Sequence, residues 1–451
     1  VTALDSLVAA VLDEVRRQAG VQASAIVRAE SSALALTRFA ASAVHQNVAD
    51  EQTTLHLQLT VDGGRTATAS TTRTSSAPDL VTATLAAARL RPRDADWPGL
   101  GGSAPLVSSG NPDEATAQTS PAERAAAVAA FVEAAGGLST AGYVQTSAST
   151  VVLADTAGQH VRGAATSAAC DGIARLSGAD GVARSASRRF ADLDPAALGA
   201  RAAAKARAGV DAVPVDPGRY AVVLEPAAVG DLVAGLASGQ FNGKAVVDGT
   251  SGLRLGEQQF DRAVFLVDDA VGPDATGLPF DTEGTPARRT DLVRDGVPVG
   301  LTTDRRVAAT LGSSSTGHAS DTSATAGPVA GDPALAAADG GSVDDLVAGL
   351  ERGLLVSDLW YTRVVDPKRS VWTGLTRNGV WLVEDGRVVA PVSTLRFTQS
   401  YLEALAPGAV TVGSVVDPQP GRLTMTYAGT NRLAVPALRL ASWNITGNTT
   451  G

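Results

Sequence analysis

Four histidines, one cysteine and two knots of carboxylates are the residues of this chain best suited to catalysis or metal binding. A hydrolytic zinc site takes three protein ligands and keeps one position open, and two of the ligands usually lie about one helical turn apart. His45, His56, His160 and His318 are far apart in sequence, and none has a second histidine at helical spacing. No such site is built locally. The carboxylates gather at Asp268-Asp269 and at Asp281-Thr282-Glu283-Gly284-Thr285. Buried side by side they would bind a divalent ion or move protons; solvated in turns they would do neither. The Gly239 to Lys244 stretch has the wrong spacing for a phosphate loop and lacks the magnesium-binding hydroxyl. Gly312 to Gly317 matches a serine nucleophile elbow in composition only. Nothing adjacent to Cys170 would lower its thiol pKa. Trp360-Tyr361 and Trp372 stand in alternating sequence and read as core or groove-lining aromatics.

The elements that must position these residues suggest an α+β chain. Residues 1–91 read as an N-terminal segment: an amphipathic helix over 4–18, strands over 25–36 and 48–61, a turn at Asp62-Gly63-Gly64, a strand over 66–72 and a helix over 79–90. Residues 92–120 are rich in proline and glycine and form a connecting loop. The central α+β segment, 121–212, opens on Ser120-Pro121-Ala122-Glu123, where Ser120 as N-cap, Pro121 in the first turn and Glu123 at the third position make a capping box. Strands over 142–154 and 159–177 follow, then a helix from Asp194-Pro195 to about residue 208. Residues 213–451 read as a mainly antiparallel β domain with an open, barrel-like sheet. Asp295-Gly296, Asn378-Gly379 and Asp385-Gly386 mark tight hairpins there. Helices are expected over 226–238 and 343–352, and 320–341 reads as a mobile surface loop.

Composition narrows the function. The 451 residues carry a net charge of −9 with no basic block, which argues against nucleic-acid binding. A single cysteine allows no intrachain disulfide, and the first helix carries charges where a signal peptide would be apolar. No run approaches the roughly 20 apolar residues of a membrane span. The expectation is a cytoplasmic protein.

Several stretches then occur together in order: Pro217-Gly-Arg-Tyr220, Leu224 to Val229, Phe241-Asn-Gly-Lys-Ala245, Leu255 to Gln258, Pro279 to Pro286, Ser315-Thr-Gly-His318, Gly353 to Val356, Trp360 to Arg363, Thr373 to Arg377 and Leu395 to Thr398, preceded by Arg38-Phe39 and His45-Gln-Asn47. This set resembles the TldD/PmbA family over nearly the whole chain. In that family the TldD branch is a metallopeptidase with a His-Glu-x-x-x-His helix and a distant cysteine ligand. The resemblance places Ala234, Gly235 and Gly239 where the first histidine, the glutamate and the second histidine would stand, and Gly429-Thr430-Asn431 near the cysteine position. It therefore implies the metal-free TldE/PmbA branch: no catalytic residue and no cofactor in this chain, and zinc in a TldD-like partner subunit. It implies a heterodimer, with a homodimer as the other arrangement, acting on flexible peptides in peptide maturation or degradation. Asn242, Lys244, Asp281, Glu283, His318 and Arg396 are the implied substrate or partner contacts, with Gly284 in a turn of positive φ. Two alternatives stand beside this reading: a stand-alone hydrolase built on Glu283 and His318, and a homodimeric peptide-binding module.

Overall fold

The computed structural model describes residues 2–108, 110–423 and 427–448; the side chains of 422, 423 and 427–431 lie outside that description. Helix α1 (Ala3–Ala19) forms because Leu4, Val8, Val11, Leu12 and Val15 make one apolar stripe. Thr2 and Asp5 close a capping box at its start, and Arg16 and Arg17 sit in its last turn. Strands β1 (Ser24–Ala40) and β2 (Ala43–Val61) make a long hairpin, and β3 (Arg65–Thr71) pairs only with Leu55 to Val61 of β2. Helix α2 (Ala77–Leu90) ends this run, and the connecting loop holds one short helix, α3 (Glu114–Ala117).

Helix α4 (Pro121–Ala134) begins with the capping box read from the sequence: the Ser120 hydroxyl accepts from the Glu123 amide, and the Glu123 carboxylate accepts from the Ser120 amide. Strands β4 (Ser139–Asp155), β5 (His160–Leu176) and β6 (Ala179–Ser187) follow, then helix α5 (Pro195–Ala208), capped by Asp194. The two sequence segments share one six-stranded sheet, ordered β3-β2-β1-β4-β5-β6, because β1 pairs with β4 from Ile26↔Asp155 to Phe39↔Gly142. One face packs on α1, α2, α4 and α5. The other, with Ile26, Val151, Leu153 and Val161, receives Phe280 from the C-terminal layer.

The C-terminal layer is an 11-stranded sheet. Its strands are β7 (Gly218–Leu224), β8 (Leu266–Asp269), β9 (Arg289–Arg294), β10 (Val297–Pro298), β11 (Pro333–Leu335), β12 (Arg352–Asp366), β13 (Val371–Glu384), β14 (Arg387–Pro391), β15 (Leu395–Ser400), β16 (Val410–Leu423) and β17 (Tyr427–Asn448). Most pairs are antiparallel; β7–β12 and β11–β17 are parallel. Because β7 also pairs with β17, the path β17-β15-β13-β12-β7 returns on itself, so the barrel-like curvature closes. Helix α6 (Pro226–Gly239) lies in the resulting core, with Val229, Leu232, Val233 and Leu236 among Phe260, Phe397 and Trp443.

Three local expectations change. Asp295-Gly296 and Asp385-Gly386 are tight turns with positive φ, but Asn378-Gly379 lies inside β13. There it opposes a register shift in β12 between Val356 and Asp358, and Asn378 donates to Asp358 (3.0 Å), so the dipeptide makes a bulge. The stretch 320–341 carries β11, which bridges β8 and β17, and Asp332 within it is buried. Residues 321–326 stay at the surface, while Gly327 to Leu335 pack inward instead of forming a loose loop. The later helix runs only over Val343–Ala348.

The two layers meet through ionic contacts. Arg184 of β6, 3% exposed, grips Asp358 of β12 with two bonds (3.1 and 3.0 Å) and also faces Asp171 (3.3 Å). Burial alone would make that guanidinium easier to deprotonate, but the two aspartates hold it charged above its ordinary range. Lys205 of α5 pairs with Glu225 at the start of α6, and Arg201 with Asp417 (2.7 Å). No helix among the described residues is long and apolar enough to cross a membrane.

Candidate functional site

Helix α6 begins at Glu225, whose backbone is extended, and Pro226 fits its first turn, where no amide partner is needed. It ends where Gln240 bridges outward, donating to the Pro367 carbonyl (2.7 Å) and accepting from the Gly252 amide (2.8 Å). The helix is therefore fixed at both ends. Its second face presents Asp231, Ala234, Gly235 and Ser238, and this face meets an aromatic stack. The rings of Trp372 and Tyr401 lie 5.4 Å apart at 7°, and Tyr401 continues to Trp443 at 6.0 Å. A Cβ on Gly235 would stand 3.0 Å from Tyr401 Cε2 and 3.1 Å from Trp372 Cζ2, and one on Gly239 would lie 4.0 Å from Trp372. The space beside Gly235 is thus filled with ring carbon. Asp231 is the carboxylate on this face, and it accepts from the Thr362 hydroxyl (2.9 Å) and the Tyr401 hydroxyl (3.4 Å). Burial, then the Asp231 charge, pushes the Tyr401 phenol well above its ordinary pKa, so it stays a donor.

The loop Pro279 to Pro286 holds Asp281, Glu283 and Gly284 and docks on the open face of the N-terminal sheet. Gln159 donates to the Gly284 carbonyl (2.8 Å). Gly284 has φ +76°, as the sequence suggested, and a Cβ there would meet Leu153 at 2.7 Å. Asp281 is 8% exposed and folds the loop: one oxygen accepts from the amides of Glu283 and Thr285 (both 2.9 Å), the other from Ala319 (3.0 Å). Glu283 accepts from the Arg305 amide (3.0 Å) and pairs with its guanidinium (3.2 Å). Desolvation lifts both carboxyls, Asp281 to about 6 and Glu283 to about 7, the second also pushed by the Asp281 charge.

His318 is 4% exposed, with Nε2 2.7 Å from Asp268 Oδ2 and Nδ1 2.8 Å from the Thr316 hydroxyl. Asp268 also accepts from the Asp332 amide (2.7 Å). The Asp332 carboxylate accepts from the Thr276 amide and hydroxyl, and burial followed by the Asp268 charge raises its pKa to about 7. Thr316 Oγ1 is engaged with the Thr303 amide at 2.7 Å and the Thr303 carbonyl at 3.1 Å, which removes it as a free nucleophile. The Ala319 amide that caps Asp281 joins this cluster to the docking loop.

The other sequence candidates lie apart. Asn242 is 3% exposed, caps the short helix Gly243–Val247 and donates to the Ala326 carbonyl (2.7 Å). Lys244 pairs with Asp248 (2.6 Å). Arg396 stands exposed on β15. His160 faces Asp5 (3.3 Å), His45 is exposed and His56 is half-buried, its pKa lowered by burial. Cys170 is buried, which pushes its thiol to about 12. Among the described residues, no three His, Cys, Asp or Glu side chains converge as a metal ion would need. Gly429-Thr430-Asn431 lie in β17, with side chains outside the described residues.

Sequence reasoning missed Asp332, the Trp372–Tyr401 stack and the Arg184–Asp358 clamp. Each is made by residues distant along the chain, and no local spacing marks them.

Residues 217–447, about half of the chain, match the family model described as the PmbA/TldA metallopeptidase C-terminal domain. The chain belongs to the PmbA/TldD family. Solved PmbA/TldD-like structures share its fold. TldE from Thermococcus kodakarensis superposes with a TM-score of 0.84 at 18% identity, over 97% of this chain and 100% of that one. A proposed modulator of a DNA gyrase from Thermotoga maritima gives 0.82 at 16%, over 98% and 100%. Another from Bacteroides thetaiotaomicron gives 0.79 at 19%, over 98% of each. No curated protein matches the chain. The residues of α6 do not fit the metal that the family description implies: Ala234, Gly235 and Gly239 offer no donor atom, and ring carbons crowd Gly235.

Proposed function

We propose that this chain is the non-catalytic, TldE/PmbA-like subunit of a two-subunit peptidase acting on flexible peptides, with zinc held by a TldD-like partner. One observation carries the reading. The helix that the resemblance aligns with a metallopeptidase helix is kept in place at both ends, yet at the three aligned ligand positions it carries Ala234, Gly235 and Gly239, with Gly235 packed under Trp372 and Tyr401. Those three positions offer a cation no lone pairs, and the Asp231 carboxylate on the same face is engaged by Thr362 and Tyr401. The implied contact residues Asn242, Lys244, Asp281, Glu283 and His318 are engaged within the chain, so their contribution to peptide handling is to hold their own loops in place. The stand-alone hydrolase on Glu283 and His318 gains no support, since Glu283 is tied to Arg305 and His318 to Asp268.

The test is to purify this chain and a TldD-like protein carrying His-Glu-x-x-x-His, separately and mixed, and to follow cleavage of an unstructured leader peptide. Cleavage by the mixture, with zinc accounted for by the partner, is expected. Cleavage by this chain alone, lost on His318→Ala, would overturn the reading in favour of the hydrolase. Peptide binding with no association to the partner would favour the homodimeric binding module.

A further inference from the structure

Directly opposite residues of paired strands share a face, so the registers Trp360↔Leu375, Arg363↔Thr373 and Leu375↔Arg396 put side chains of β12, β13 and β15 on one surface. Arg377, two residues along from Leu375, joins them, with its guanidinium 5.5 Å from the Trp360 ring centroid. Arg363 lies 4.2 Å from the centre of the Tyr361 ring. All three arginines are exposed, and among the described residues no carboxylate lies within ion-pair distance of Arg363, Arg377 or Arg396. Other exposed arginines, among them Arg38, Arg262 and Arg387, also stand without an acidic partner among the described residues; what sets these three apart is that they share one face, two of them held against aromatic rings. Tyr361 adds a second observation. It is half-exposed at a register shift in β12 with φ +57°, a region that a bulky side chain rarely occupies. Strain of this kind persists where the surrounding structure enforces it and concentrates at binding sites. The neighbouring Thr362 points to the other side of the strand and bonds Asp231 of α6, so the arginine face lies on the reverse of the sheet that packs on that helix.

From this placement we infer that the face binds an extended, acidic segment of a peptide, with carboxylates on Arg363, Arg377 and Arg396 and apolar side chains on Trp360, Tyr361 and Leu375. The inference rests on the peptide-handling reading above and narrows its substrate class. Guanidinium groups already held against aromatic rings lose less freedom on pairing than free ones would, and planar carboxylates match their donor geometry.

The experiment is fluorescence anisotropy of the full chain with labelled unstructured peptides of alternating glutamate and leucine, the same peptide with glutamine for glutamate, and a single-stranded oligonucleotide of similar length. The glutamate peptide is expected to bind about tenfold tighter than the glutamine one, the combined size of three exposed charge pairs, with the advantage shrinking as salt rises. The triple variant R363Q/R377Q/R396Q should erase the difference while its circular dichroism and Tm stay unchanged. Arg387→Gln on β14 should leave binding as it was. Equal binding of both peptides, tighter binding of the oligonucleotide, or full binding by the folded triple variant would overturn the inference. None of these results bears on cleavage by the mixed subunits, and selective binding without such cleavage would sink the subunit reading alone.

Discussion

Along the inner face of α6 stand Ala234 and Gly235 beneath Trp372 and Tyr401, whereas around His318 a histidine and the carboxylates of Asp268, Asp281 and Asp332 are buried together. The first region stands where the resemblance aligns a metallopeptidase helix, and its aligned positions carry no donor atoms. The second has the chemistry of an active site, but its oxygens are already taken by backbone amides of Asp332, Thr276, Glu283, Thr285 and Ala319. A carboxylate saturated by amides holds loops in place and is poorly available to a substrate. The type of residue in a pocket is thus a weaker guide to function than the number of its lone pairs left over.

The comparison can be broken most forcefully at Asp268. Asp268→Ala leaves the His318 ring and the Asp332 amide without their buried partner, and chemical denaturation should show a loss of about 3 to 5 kcal/mol. Replacing Gly235 with glutamate tests the other side. The new side chain must push Tyr401 or Trp372 aside, so the variant should lose about 1 to 3 kcal/mol and still bind no stoichiometric zinc by metal analysis. A folded variant that took up zinc would show that the wall yields to a ligand. Asp332→Asn is the gentlest change. In the folded chain the Asp332 carboxyl keeps its proton to about pH 7, while the unfolded chain releases it near 3.8, so the wild type loses stability as pH rises through that window. The asparagine variant should flatten that slope and gain on the order of 1 kcal/mol at pH 8, read from denaturation midpoints at successive pH values. An unchanged slope would mean that Asp332 does not carry the proton.

Features fixed by neighbours along the chain were legible. The capping box at Ser120, the helix start at Asp194-Pro195 and the turns at Asp295-Gly296 and Asp385-Gly386 all lie where short-range bonding puts them. What escaped depends on partners far away. Asn378-Gly379 has the composition of a hairpin turn, but Asp358, across the strand pair and bound to Arg184 from the other layer, turns it into a bulge. The stretch 320–341 lacks bulky residues, yet β8 and β17 flank β11, and small side chains suit that crowded position. At the candidate site, the helix expected over 226–238 is seen as α6 (Pro226–Gly239), while the aromatic stack beside Gly235 joins Trp372 to Tyr401 and has no local signature.

The pairing of β1 with β4 has a consequence for how the molecule is made. During synthesis, the hairpin of β1 and β2 emerges with one long row of amides and carbonyls unsatisfied, and the strand that will cover it begins only at Ser139. Contacts so distant close slowly, and an exposed strand edge invites pairing between nascent chains. A ribosome stalled between these two points would hold a template for aggregation, which makes this interval the place where a chaperone has most to protect.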